Sequence, residues 1–273
     1  MKGLVWLSLL IISLSLVLGA AADDQQRIRC ASTTSTQNSG FFDYILPIFE
    51  KETGIKVDVL AVGTGAALEI GQRGDADVVF CHSKDDELRL VKAGYFVERH
   101  DVMYNDFIIV GPAQDPAGVR GLKSARAAFK RLGAGKAPFV SRGDDSGTHK
   151  KELQLWKQAG ITPKGAAWYL EVGQGMAKTL RIAGEKRAYT LTDRATWLAL
   201  QDKEQLGLTV LVEGDEALFN QYGVMVVNPK RFPQVKYDAA MQFVRFLISP
   251  RGQQAIAAFK DAAGNQLFHA NAK

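Results

Sequence analysis

Short β-branched apolar runs that alternate with amphipathic stretches of helical period constrain this chain more than any other feature. "IRCAS" leads into a polar loop, and "FFDYILPIFEKETG" then places Phe42, Ile45 and Phe49 on one helical face before Gly54 stops it. "KVDVLA" follows, then the glycine-rich "VGTGAALEIGQRG", then "DADVVFCHS" and the helix-like "DELRLVKAGY". That succession of strand and helix is the grammar of a parallel sheet wrapped by helices, so the predicted class is α/β. The middle of the chain repeats it. "LKSARAAFKRL" reads as a helix, "APFVS" as a strand, and "THKKELQLWKQAG" as a helix with Leu153 and Trp156 inward. After "GQGMAKTLRIAG" come a short strand, "RAYTL", and a further helix start at Thr192-Asp193.

Two apolar runs stand apart, "NDFIIVGPAQDP" and "QYGVMVVNPK". Each ends at Gly-Pro or Asn-Pro, which halts regular structure soon afterwards. They read as matching crossings between two lobes, with the second lobe inserted into the first. The division expected is residues 23–110 for the first part of lobe I, 111–222 for lobe II and 223–273 for the rest of lobe I. The chain closes with "DAAMQFVRFLIS" and a helix that Ser249 caps and Pro250 opens. In open sheets of this type ligands sit beyond the carboxyl ends of the strands, where loops lead into helices.

The amino terminus sets the compartment. Met1-Lys2 is a small positive region, Leu4 to Leu18 carries no charge, and Ala20-Ala21-Ala22 offers the small residues of a cleavage site. Residues 1–22 therefore read as a signal peptide cleaved near Ala22, with an uncleaved anchor as the alternative. The run is short for a membrane span. Removing it takes Lys2 with it, and the formal charge falls from +5 to +4. About 250 residues remain, enough for two linked lobes. The basic excess has no lysine or arginine block of the kind that marks nucleic-acid binding, and a slight positive field steers small anions inward. Cys30 and Cys81 end neighbouring strands and suit an oxidising compartment, either bridged or as two buried thiols. His82, His100, His149 and His269 show no paired ligand spacing, so no metal centre and no cofactor are expected.

The loops that follow the strands share one chemistry. "STTSTQNSG" from Ser32 to Gly40, "VGTGAA" from Val62 to Ala67, and "SRGDDSGT" from Ser141 to Thr148 each set hydroxyls and backbone amides at the start of a helix. Helix N-termini carry unpaired donors and a partial positive charge, so several converging on one point cradle an oxyanion. Each loop taken alone also reads as ordinary capping. In the third, Arg142 adds a fork of charged donors, Gly143 and Gly147 let the backbone turn, and Ser146 and Thr148 add hydroxyls. Asp144 is placed to hold the guanidinium from behind, because a carboxylate facing an anion repels it.

These motifs resemble those of type II periplasmic solute-binding proteins of ABC importers, most closely the tungstate-binding family. The stretches that carry the likeness run from "STTSTQNSGFFDYILPIFEKETG" through "VGTGAALEIGQRGDADVVFCHS", "NDFIIVGP" and "FVSRGDDSGTHKKE" to "AYTLTDRATW", nearly the whole mature chain. The resemblance implies a two-lobed fold with two strand crossovers and the ligand, tungstate, in the interlobe cleft. It implies contacts from Thr33, Thr34, Ser35, Thr64, Arg142, Ser146 and Thr148, with the backbone of Gly147 among them. It further implies a periplasmic monomer that delivers its cargo to a membrane permease. One departure is visible. Ser32 precedes Thr33-Thr34-Ser35 where the family runs three threonines and a serine, so a hydroxyl is retained.

Phosphate is the rival ligand, since its binding proteins share the R-x-D-x-S-G-T spacing, and molybdate and sulfate are further alternatives. Phosphate keeps a proton near neutral pH and its site needs an acceptor, whereas tungstate, molybdate and sulfate carry none. No acidic residue lies in the first two loops, which leaves Asp144 and Asp145. Gln174, Gly175, Thr192 and Asp193 sit at helix starts, where they line the cleft or cap. Tyr189 and Trp168 read as core aromatics, and "HSKDDE", His82 to Glu87, as a solvated helix start. An enzyme is not expected, because there is no G-x-S-x-G elbow and His149 has no evident orienting partner.

Overall fold

The computed structural model describes residues 26–200 and 203–272, so the expected leader lies outside the described residues. The first apolar run forms β1 (Arg27–Thr33), which breaks directly into a short helix, α1 (Thr34–Asn38), and then α2 (Phe41–Thr53). Phe42, Ile45 and Phe49 are buried as their spacing requires, and α2 stops at Gly54 in the left-handed conformation, φ 71°. Next come β2 (Lys56–Val62), α3 (Thr64–Gln72), β3 (Val78–Cys81) and α4 (Lys84–Lys92). β1 lies between β2 and β3 and is parallel to both.

The parallel pattern ends there. β4 (Phe96–Pro112) is a long strand that pairs antiparallel with β9 (Phe219–Val227), and β9 in turn runs antiparallel to β3. The expectation of a wholly parallel sheet is corrected. β4 follows the crossover helix α4 and keeps the direction of β3, and the strand that breaks the pattern is β9, which returns from the second lobe and inserts between them. Between these two strands lie α5 (Ala125–Ala134), β5 (Phe139–Ser141), α6 (Gly147–Gln158), β6 (Tyr169–Glu171), α7 (Met176–Glu185), β7 (Thr190–Asp193), α8 (Arg194–Ala199) and β8 (Leu208–Val212). After β9 come α9 (Tyr237–Ile248), α10 (Pro250–Ala258) and β10 (His269–Ala270), and Ser249 caps α10 with Pro250 in its first turn.

β4 is the element that joins the lobes. Up to Asp106 it pairs with β9, and from Phe107 it pairs with β7 and then β8. The change of partner falls a few residues before Val110, and β9 opens before Tyr222. The change falls where polar Asn105-Asp106 gives way to the apolar "FIIV". The cores divide likewise. Lobe I packs an aromatic cluster in which Phe41 stacks on Phe80 at 5.9 Å, and lobe II buries Phe129, Phe139 and Trp156 on one face of its sheet and Met176 and Leu180 on the other.

Two other expectations change. Leu153 is 44% exposed, because Thr148, Glu152, Leu155 and Trp156 already fill the inner face of α6. The segment His82 to Glu87 is not wholly solvated, since His82 is 7% and Glu87 0% exposed. Glu87 pairs with Arg99 of β4 at 2.9 Å, a partner that local pattern cannot reveal. Cys30 and Cys81 are free buried thiols. In the parallel register Cys30 faces Val78, which sets the sulfurs' strand positions about 10 Å apart, beyond the reach of a disulfide.

Candidate functional site

The loops expected to carry chemistry meet where the lobes face each other. Thr33 ends β1 in extended geometry, and its Oγ1 accepts the amide of Thr36 at 3.3 Å, capping α1. The same oxygen lies 2.7 Å from Thr36 Oγ1 and 3.1 Å from Ser35 Oγ. Ser35 continues the chain to His82 Nε2 at 3.2 Å. Ser35 and Thr36 are buried, and Thr34, the first residue of α1, faces the cleft half-buried.

From the second lobe, α6 starts head-on against α3. Gly147 donates its amide to Thr64 Oγ1 at 2.8 Å, a bond that crosses from one lobe to the other. The approach requires glycine, because a β-carbon at Gly147 would stand 2.6 Å from His82 Cε1 and 3.1 Å from Thr64 Oγ1. Ser146 caps α6 by accepting the amide of His149 at 3.2 Å. A second crossing contact joins Lys150 of α6 to Asp86 of α4 at 2.7 Å.

Arg142 is the charged member, although it is only 2% exposed. Its Nε and Nη2 donate to Asp144 Oδ2 at 3.1 and 2.6 Å, and Nη2 reaches Thr34 Oγ1 at 3.5 Å. Asp144 spends its other oxygen on the amide of Ser146 at 3.2 Å. The carboxylate therefore holds the guanidinium from behind, and Nη1 donates to no described residue.

Capping and anion binding turn out to be compatible at this site. A hydroxyl that accepts an amide as a cap keeps its own proton, so Thr64 and Ser146 can each cap or bridge and still donate. Thr148 Oγ1 is buried with no partner, a position that burial disfavours unless a ligand or water meets it. The local charge balance is otherwise restrained. Asp193 is 0% exposed, and burial pushes its carboxyl above the usual range. Its Oδ1 caps α8 through the Thr196 amide at 2.8 Å, and its Oδ2 has no partner.

Thr33, Thr34, Ser35, Thr64, Arg142, Ser146, Gly147 and Thr148 are thus in one neighbourhood. Of the softer candidates, Thr192 gives its hydroxyl to the Asp193 carbonyl and the Gln174 carbonyl accepts from Thr179. His149 has a partner after all, since its Nδ1 accepts the Asp145 amide at 3.1 Å. His82 is the residue that sequence reasoning missed. It follows a strand as the other loops do, and that shared position was the available signal.

The chain belongs to the PBP superfamily, whose domain model matches residues 19–251. More particular relatives agree with one another. The tungstate-binding protein TupA of Peptoclostridium acidaminophilum is 48% identical over 89% of this chain and 85% of that protein. A putative ABC transporter anion-binding protein of Haloferax volcanii is also 48% identical, over 90% of this chain and 72% of that protein. Among solved structures, the tungstate-binding protein TupA from Desulfovibrio alaskensis G20 superposes with a TM-score of 0.79 at 46% identity, covering 91% of this chain and 100% of that one.

Proposed function

We propose that this chain is the tungstate-binding protein of an ABC importer. It closes two lobes around the oxyanion and presents the closed form to a membrane permease. Export to the periplasm through a cleaved leader and action as a monomer complete the reading. The ligand contacts assigned are Thr33, Thr34, Ser35, Thr64, Arg142, Ser146 and Thr148, while Gly147, whose amide is given to Thr64, joins the lobes beside them.

The observation that carries the reading is the buried Arg142, braced by Asp144 and reaching Thr34 in the facing lobe. A buried cation braced on one side only, amid hydroxyls with spare protons, favours a dianion that accepts from every direction. If several such donors contribute about 1–3 kcal/mol each, nanomolar binding near −12 kcal/mol is within reach after ordering costs. The site binds and releases its cargo unchanged.

A thermal-shift panel of tungstate, molybdate, sulfate and phosphate tests this. Tungstate is expected to raise the melting temperature most, with the shift growing as the logarithm of concentration. Phosphate giving the largest shift would displace the assignment.

A further inference from the structure

His82 stands outside the donor set, yet it is built into the place where the lobes meet. Its Nε2 lies 3.2 Å from Ser35 Oγ, and its ring lies 4.7 Å from that of Tyr222 on β9. A β-carbon at Gly147 would stand 2.7 Å from His82 Nδ1, so the start of α6 packs on the other edge of the ring. Nδ1 is buried without a hydrogen bond of standard geometry, and the side-chain amide of Asn220 is close enough to interact with the ring. Held from α1, β9 and α6, the imidazole has one orientation.

Burial, with Arg142 close by, pushes the pKa of His82 down to about 4, so the ring is neutral near pH 7 and carries a single proton. Where that proton sits decides what Ser35 can do. On Nε2 it is donated to Ser35 Oγ, and the serine's own proton is left for the cleft or for Thr33 Oγ1 at 3.1 Å. On Nδ1 it leaves Nε2 an acceptor, which takes the serine's proton, and Ser35 then offers the cleft lone pairs alone. A fully deprotonated oxyanion accepts hydrogen bonds and is repelled by lone pairs. A protonated one needs at least one acceptor.

We infer that His82 is a positioning residue that keeps its proton on Nε2 and thereby fixes Ser35 as a hydrogen-bond donor to the oxyanion. This rests on the oxyanion reading of the site. It goes further by assigning part of the discrimination between deprotonated and protonated anions to a residue that need not touch the ligand. Tungstate is favoured over hydrogen phosphate because Ser35 has no lone pair aimed inward to receive the phosphate proton.

The first test reads the tautomer in the wild-type protein. Long-range proton–nitrogen correlation spectra of the ¹⁵N-histidine-labelled protein, with and without sodium tungstate, report the tautomer of His82, and the His82→Gln spectrum identifies its signals. A protonated Nε2 and a bare Nδ1 are expected, and the opposite tautomer overturns the inference.

Calorimetry with tungstate and with hydrogen phosphate then compares the wild type, His82→Gln and His82→Leu. Glutamine places an amide donor near the imidazole Nε2 and should hold tungstate affinity within about threefold. Leucine removes the donor, and tungstate affinity should fall roughly 10-fold, the worth of one hydrogen bond, with the tungstate-to-phosphate ratio narrowing. Equal losses for both anions would reduce His82 to a structural role. Wild-type protein that binds neither anion would instead end the functional reading, and the inference with it, while an Nδ1–H tautomer in a protein that binds tungstate ends the inference alone.

Discussion

Arg99 and Arg142 each bury a guanidinium almost completely, with side chains 8% and 3% exposed, and each sets Nε and Nη2 on a single carboxylate oxygen. Arg99 belongs to β4 in lobe I and grips Glu87, while Arg142 follows β5 in lobe II and grips Asp144. The difference lies in the remaining nitrogen. Nη1 of Arg99 is taken by Asp101, so that fork is fully committed to the protein. Nη1 of Arg142 is not taken by any described residue, and its Nη2 leans across the cleft toward Thr34. A buried arginine is structural or ligand-directed according to how its donors are shared out, and burial alone does not tell the two apart.

The comparison breaks most visibly at Arg99. Arg99→Ala would leave Glu87 buried without its partner, and its carboxyl, already pushed up by burial, would be driven further toward the protonated form, at a cost of about 3–5 kcal/mol. Scanning calorimetry should show the unliganded melting temperature lower by roughly 6–20 °C, while tungstate affinity of the folded fraction stays near wild type. A comparable loss of affinity would make Arg99 part of the site.

Arg142→Ala should do the reverse. Loss of a charged donor worth about 2–3 kcal/mol predicts roughly 100-fold weaker tungstate binding by titration calorimetry, with the unliganded melting temperature falling less than for Arg99→Ala, because Asp144 is partly exposed and keeps the Ser146 amide. Unchanged affinity would remove Arg142 from the site.

Gly147→Ala sharpens the contrast from the side of lobe closure. The added methyl would press on His82 and Thr64, and strain of about 1–2 kcal/mol should weaken binding about 10-fold without harming either lobe's own core. An affinity equal to wild type would mean that the lobes need not approach this closely to hold the ligand.

The smallest effect concerns a third buried carboxyl, one that has no arginine at all. Glu152 of α6 is 1% exposed and accepts from Tyr169 Oη at 2.7 Å and Trp156 Nε1 at 3.0 Å. Burial pushes its pKa from 4.5 up to about 7. The folded protein therefore holds this proton more tightly than the unfolded chain. The stability it contributes is complete below pH 4.5 and is lost as the pH rises through about 7. Glu152→Gln cannot lose a proton, so its melting temperature relative to wild type should rise by a few degrees between pH 5 and pH 8. A difference that stays constant with pH would show that Glu152 is ionised in the folded protein.

Much of the site was legible because its local chemistry is short-range. Ser146 caps α6 through an amide three residues away, and Asp144 meets Arg142 at a spacing of two, so both pairings could be read from "SRGDDSGTH". The alternatives of capping and anion binding seemed exclusive on the page of letters, but a hydroxyl has both a lone pair and a proton to give. His82 was lost among "HSKDDE" because its partners are distant. Ser35 is 47 residues away in sequence, and Tyr222 lies on a strand that returns only after the whole second lobe. Leu153 misled for a related reason, since helical period identifies an apolar face without saying which of its members meets a neighbouring element.

The letters by themselves determined the α/β class, the order of most elements, the capping of α6 and α10 and the positions of the hydroxyl-bearing turns, because these follow from dihedral preference and contacts within a few residues. Tertiary structure alone decided which strands pair with β4, that Cys30 and Cys81 stand out of register, that Glu87 is paired in the core, and that Thr64 and Gly147 meet across the lobes. Those outcomes depend on which distant backbone or side chain occupies the facing position, and chain connectivity carries no local mark of it.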